Sequence, residues 1–150
     1  MPEPASYELV ALIKRLASLL HQNIDLRLKP YGLARTQYVV LWNVHEAGSV
    51  PTSELVARLQ VEPATLSGVI DSLESKGLVK REENSDDKRR KNVKLTEAGR
   101  RLMEEIPAPG PIVEQVLRND VDPGDVHILR AVGQQMVVNL EAELKRQEKE

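Results

Sequence analysis

Apolar side chains recur at Leu9, Ile13, Leu16, Leu20, Ile24 and Leu28, every third or fourth position, which predicts one long helix over residues 6–29. Leu12, Leu19 and Leu26 widen that stripe beyond what a solvent-facing terminal helix needs, and Pro30 with Gly32 ends it. A second helix is expected over 35–47, where Tyr38, Val39, Val40, Leu41, Trp42 and Val44 make it apolar nearly all round and so buried, with Gly48 as its stop. Pro51-Thr52 opens a short third helix, with Thr52 as N-cap and Leu55, Val56 and Leu59 facing inward. Pro63 suits the first position of a fourth helix that ends at Gly77. Leu66, Val69, Ile70 and Leu73 share one side of it, while the other side carries only Ala64, Thr65, Ser67, Gly68, Asp71 and Ser72, all small or short and polar.

The period then changes from helical to alternating. Residues 78–82 and 91–95 read as two short strands around the polar tip 83–90. Thr96 caps a following helix, with Glu97 in its first turn. Pro107, Pro109, Gly110 and Pro111 are too closely spaced for a straight rod, so that helix breaks and a further segment covers 112–117. Asp122-Pro123 starts a last helix that runs to about 146, striped by Val126, Leu129, Val132, Met136, Leu140 and Leu144. The expected fold is mainly α with a small two- or three-stranded β-wing. One domain spans 1–150, with 33–105 as a compact lobe and 6–29 and 112–147 as helical arms.

Composition narrows the chemistry. With no Cys among 150 residues, a disulfide scaffold, a thiolate zinc site and a cysteine redox switch are all excluded. No apolar run is long enough to span a bilayer, and MPEPASYE lacks the basic start of a secretion signal, so a cytoplasmic protein is expected. The net charge of −2 conceals a polarised chain: residues 76–101 carry a balance of +5 and residues 102–150 one of −5. No nucleophile with a local base, phosphate loop or metal motif is present, so the chain is expected not to be an enzyme and to need no cofactor. His21, His45 and His127 fall on three different helices without paired-ligand spacing, and a metal there would need His45 and Glu46 to join a third group.

A short helix, a tight turn, a helix with a small-residue outer face and a basic hairpin form a helix-turn-helix followed by a wing. A helix entering a major groove about 12 Å wide is held off by bulky side chains. Ala64, Ser67 and Gly68 let the backbone approach, and the Thr65 and Ser67 hydroxyls can reach phosphates or base edges. Lys88, Arg89, Arg90 and Lys91 supply the cations that a wing needs at the phosphates or in the minor groove.

The stretch SELVARLQVEPATLSGVIDSLESKGLVKREENSDDKRRKNVKLTEAG, residues 53–99, resembles the core of MarR-type transcription regulators. Its telling pieces are Leu73-Glu74-Ser75-Lys76-Gly77-Leu78-Val79, Asp87-Lys88-Arg89, and Val93-Lys94-Leu95-Thr96 with Gly99; Gly32-Leu33 before Gln37 and Leu41 also fits. The resemblance implies a homodimer joined through the terminal helices, reading a near-palindromic double-stranded operator. Arg89 would enter the minor groove and Asp87 would brace the wing, although Asp87 is equally a plain turn residue. Ala64, Thr65, Ser67, Gly68 and Asp71 would face the major groove, and Arg35, Thr52 and Ser53 the phosphates.

A repressor released by a small phenolic or other aromatic effector is the function so implied. The resemblance puts the effector pocket between the arms and the lobe, with His21, Tyr31, Tyr38 and Trp42 as candidates; Tyr38 and Trp42 are alternatively plain core. A metal-responsive regulator of the same fold and a winged-helix module that binds protein are the competing readings. Three features depart from the family pattern. Glu62 replaces a better N-cap and is placed to pair with Arg89, Gly68 stands where many members have an arginine, and the prolines at 107–111 interrupt a helix that is often longer.

Overall fold

The computed structural model describes residues 7–84 and 90–148 and divides at Pro109–Gly110 into two compact units. The first holds helices α1 (Glu8–Leu28), α2 (Arg35–Ala47), α3 (Thr52–Leu59), α4 (Pro63–Ser75) and α5 (Glu97–Glu105) with strands β1 (Val50–Pro51), β2 (Val79–Glu83) and β3 (Lys91–Leu95). In the second, α6 (Pro109–Arg118) leads into α7 (Pro123–Gln147). Of the prolines, only Pro107 lies between α5 and α6; Pro109, Gly110 and Pro111 form the first turn of α6, which begins three residues before the expected 112 because proline is tolerated in a first helical turn. Asp122 caps α7 as expected, its carboxylate accepting from the Gly124 N–H at 2.7 Å.

The three strands form an antiparallel sheet in the order β1-β3-β2. Val50 pairs with Val93, and β2 runs along β3 from Val79 opposite Leu95 to Glu83 opposite Lys91. Leu28, Leu41, Leu55, Leu66, Ile70, Leu73, Val40, Val44, Val50 and Val93 are fully buried in one core. Helix α2 lies at its centre, packed against α1, α4, α5 and β3.

Two expectations need correction. Helix α2 is not buried all round: Tyr38, Val40, Leu41 and Val44 face the core, but Val39 and Trp42 are 38% and 41% exposed. Nor is Thr52 the N-cap of α3. Pro51 holds that position because the chain arrives as strand β1, and the Thr52 hydroxyl instead donates to the Lys91 carbonyl at 3.2 Å. Gly48, with φ of +72°, makes the turn out of α2 that lets β1 reach the sheet.

The long apolar stripes meet little protein within their own units. On α1 only Leu28 is buried, and Leu9, Leu12, Ile13, Leu16 and Leu19 are about half exposed. No residue of α7 is buried, and Leu129, Leu140 and Leu144 are about two-thirds exposed. Single chains seldom leave so much apolar surface in water. No helix among the described residues is long and apolar enough to cross a membrane.

Candidate nucleic-acid interface

Helices α3 and α4 are joined by the three residues Gln60-Val61-Glu62, and the turn is tight enough to hold Gln60 at φ of +51°. Glu62 is the N-cap of α4 but gives no side-chain bond, as expected for a residue with a long carboxylate arm. Leu66, Ile70 and Leu73 anchor α4 in the core, which turns Ala64, Thr65, Ser67, Gly68 and Asp71 outward, all exposed. An added β-carbon at Gly68 would meet nothing within 4 Å.

The far end of α4 is fixed by backbone and side-chain bonds. Leu78 N–H donates to the Leu73 carbonyl at 3.0 Å and Gly77 N–H to Glu74 at 2.8 Å, while Gly77 takes φ of +71°; this is the Schellman closure. Buried Gln37 then ties α2 to the same end. Its amide donates to the Ser72 hydroxyl at 2.9 Å, and its oxygen accepts from Lys76 Nζ at 2.9 Å and from Ala34 N–H at 3.0 Å. Thr96 caps α5 by accepting from Gly99 N–H at 3.0 Å and donates to the Gly77 carbonyl at 2.6 Å. The Leu-Thr-x-x-Gly pattern is thus a clamp between two helix ends.

Arg81 of β2 joins the hairpin to α4, a role that the sequence reading missed. Its guanidinium lies 2.7 Å from the Asp71 carboxylate, ion-pairs with Glu74 and reaches the Ser67 carbonyl at 3.5 Å. Its backbone N–H also donates to Glu74, at 3.0 Å. The signal was available: Arg81 shares the strand period of buried Val79, and a charge on an inward position needs partners. Asp71 is exposed on the outer side of α4, but its carboxylate is engaged by this arginine.

At the root of the hairpin, Asn84 N–H donates to the Arg90 carbonyl at 2.9 Å, and Asn84 bonds to Asn92, which in turn reaches Ser49. Glu82 lies between Lys80 at 2.6 Å and Lys94 at 2.7 Å; hydrogen bonds from these two ammonium groups pull its carboxyl down to about 2. Asp87, Lys88 and Arg89 lie outside the described residues, and so does any pairing of Arg89 with Glu62.

Four of the expected contact residues meet at one place. Thr52, Ser53, Arg90 and Lys91, with Pro51, line a groove of about 300 Å³ beside the hairpin root. Arg35 does not line it; its Nε sits 3.8 Å from the Asp25 carboxylate at the start of α2. Among the effector candidates Tyr38 is buried, Tyr31 half-buried, and His21 and Trp42 exposed. The Tyr38 and Trp42 rings are 6.3 Å apart, and burial raises the Tyr38 hydroxyl above its usual range. Among the described residues no three His, Asp or Glu side chains gather as a metal site.

An exposed, small-faced second helix beside a basic β-hairpin defines a winged helix-turn-helix DNA-binding domain. Residues 33–91 match the model of the MarR family, whose members are transcription regulators and not enzymes. The chain is 28% identical over 107 residues to the uncharacterized HTH-type transcriptional regulator YhbI of Bacillus subtilis, across 71% of this chain and 70% of that protein. It is similar to a cysteine-to-serine mutant of MarR from E. coli complexed with operator DNA, with a TM-score of 0.73, 27% identity, and coverage of 87% of this chain and 96% of that one. In fold it also matches Bordetella bronchiseptica BpsR, whose DNA binding is regulated by 6-hydroxynicotinic acid; the TM-score is 0.78 at 23% identity, over 91% of this chain and 98% of that one.

Proposed function

We propose that the protein is a homodimeric, sequence-specific transcription regulator that represses until a small effector releases it. The observation that carries this reading is the shared location of the small outward face of α4 and the groove of Thr52, Ser53, Arg90 and Lys91, on one helix-turn-helix and its wing. The first suits the major groove and the second the adjoining phosphates. Asp71 acts there through Arg81, holding α4 to the hairpin, and reaches bases only if it leaves that pair. Arg89 at the wing tip supplies the minor-groove contact.

Dimerisation is supported by the apolar faces that α1, α6 and α7 leave in water, a combination a lone chain tolerates poorly. In a two-fold pair, two α4 helices about one DNA turn apart, roughly 34–36 Å, read a near-palindrome. The effector remains the aromatic or phenolic class set by the family resemblance. BpsR, with its nicotinic-acid regulator, is an example of ligand control on this fold.

The test is a gel-shift titration on a fragment selected from genomic footprints, with mass measured in solution. A dimer whose DNA affinity falls steeply with salt is expected, because bound phosphates release counterions. Arg89→Ala should weaken that affinity by about 1–3 kcal/mol and leave the dimer intact. Unchanged affinity removes the wing from the reading, and a monomer removes the two-fold operator.

A further inference from the structure

Between α2, the α3–α4 turn and α4 lies a cavity of about 230 Å³, room for roughly eight waters at about 30 Å³ each. Val39, Val40, Leu59, Val61, Leu66 and Val69 give it an almost wholly apolar wall without an aromatic ring. Its one charged residue is Arg35. The guanidinium Nη1 is shut off from solvent with no hydrogen-bond partner among the described residues, and the Asp25 carboxylate at 3.8 Å from Nε is beyond hydrogen-bonding reach. An arginine cannot shed its charge, so this cation, ion-paired with Asp25 only at 3.8 Å, keeps one buried N–H edge without an acceptor beside an apolar pocket.

We propose that this cavity binds a small aliphatic carboxylate, with the acid group on the Arg35 fork and the carbon chain among the valines and leucines. The chemistry selects that class. A neutral alcohol brings no negative charge to the guanidinium edge that Asp25 does not reach, while a phosphate dianion brings a second charge to a wall with a single cation. The branched, ring-free lining suits a flexible chain of about six carbons, and a short turn of the Arg35 side chain, which is one-third exposed, presents its two N–H edges to the acid. None of His21, Tyr31, Tyr38 and Trp42 lines the cavity, so it is distinct from the aromatic site considered above.

Thr65, Leu66 and Val69 belong to α4, the helix whose exposed face carries Ser67 and Gly68, with Thr65 at the edge between that face and the pocket. A ligand wedged against α2 therefore shifts the helix whose outer face is offered to DNA. That regulatory consequence rests on the DNA-binding reading; occupancy of the cavity does not.

The experiment is an NMR titration of the full-length protein with hexanoate, and with hexanamide as the uncharged counterpart. Saturable shifts are expected at the methyl groups of Val39, Val61, Leu66 and Val69, accompanied by amide shifts at Ser67 and Gly68. Hexanamide should bind about tenfold or more weakly, the size of one lost charge-assisted hydrogen bond. Arg35→Met should weaken hexanoate by a similar factor and leave hexanamide unchanged. Val39→Trp, made at an already exposed position, should block both by filling the cavity. Equal binding of acid and amide, shifts centred on Tyr38 and His21, or full binding by Val39→Trp overturns the site. If the DNA reading is wrong, the protein fails to retard DNA even without hexanoate, while these NMR results are unaffected.

Discussion

A β-carbon on Gly99 would collide with the Leu78 carbonyl, whereas one on Gly68 would meet nothing within 4 Å. The two glycines therefore serve opposite needs. Gly99 lets α5 press onto the end of α4 just where Thr96 bonds back to Gly77, and a methyl group there collides with main chain that has no rotamer to change. Gly99→Ala is expected to cost about 1–3 kcal/mol in urea unfolding, as overpacking typically does; a neutral result would mean that the clamp yields. Gly68 lies mid-helix on the outer face of α4, where within the folded chain glycine adds only backbone freedom. Gly68→Ala should raise stability by about 1 kcal/mol, seen as a higher melting midpoint. An unchanged or lower midpoint contradicts the open environment assigned to it.

Among the elements, the hairpin and α4 are tied together because Arg81 is bound to Ser67, Asp71 and Glu74 at once. The same hairpin keeps two of its lysines occupied, since Glu82 accepts from both Lys80 and Lys94. A carboxyl held at about 2 instead of 4.5 stabilises the folded form above its ordinary range, and this contribution is lost as pH falls through about 2. The Glu82 carboxylate lies at the surface, so salt screens the effect. Glu82→Gln should lower the melting midpoint slightly at pH 7 in low salt, and the gap should close toward pH 2. At neutral pH the freed ammonium groups should tighten DNA binding and steepen its salt dependence by about one charge; an unaltered slope would place Lys80 and Lys94 away from the phosphates.

For the molecule as a whole, the apolar faces of α1 and α7 are the surface that association would cover. Each exposed leucine that becomes covered contributes roughly 1.5–3 kcal/mol when burial is complete. If folding and pairing are linked, the melting midpoint should climb with protein concentration across roughly a hundredfold range, as mass action requires. A midpoint independent of concentration would detach the stripes from assembly. The −5 balance of residues 102–150 gives the C-terminal helices the wrong sign for DNA, which agrees with the cations being gathered at the hairpin.

Local patterns were enough to determine the helices, their stops at Gly48 and Gly77, the cap at Thr96 and the outward face of α4, because spacing and backbone freedom act within a few residues. Strand β1 was not legible: two residues, one a proline, carry no period, and they become a strand only because Val93 lies opposite. The exposed side of α2, the grip of Arg81 on α4 and the Arg35 guanidinium at the cavity also depend on residues distant along the chain. An apolar run does not reveal which of its sides finds a partner, and a charge does not reveal what it will meet. Such matters are decided when the elements pack, since burial and pairing are properties of the space between elements and not of any single one.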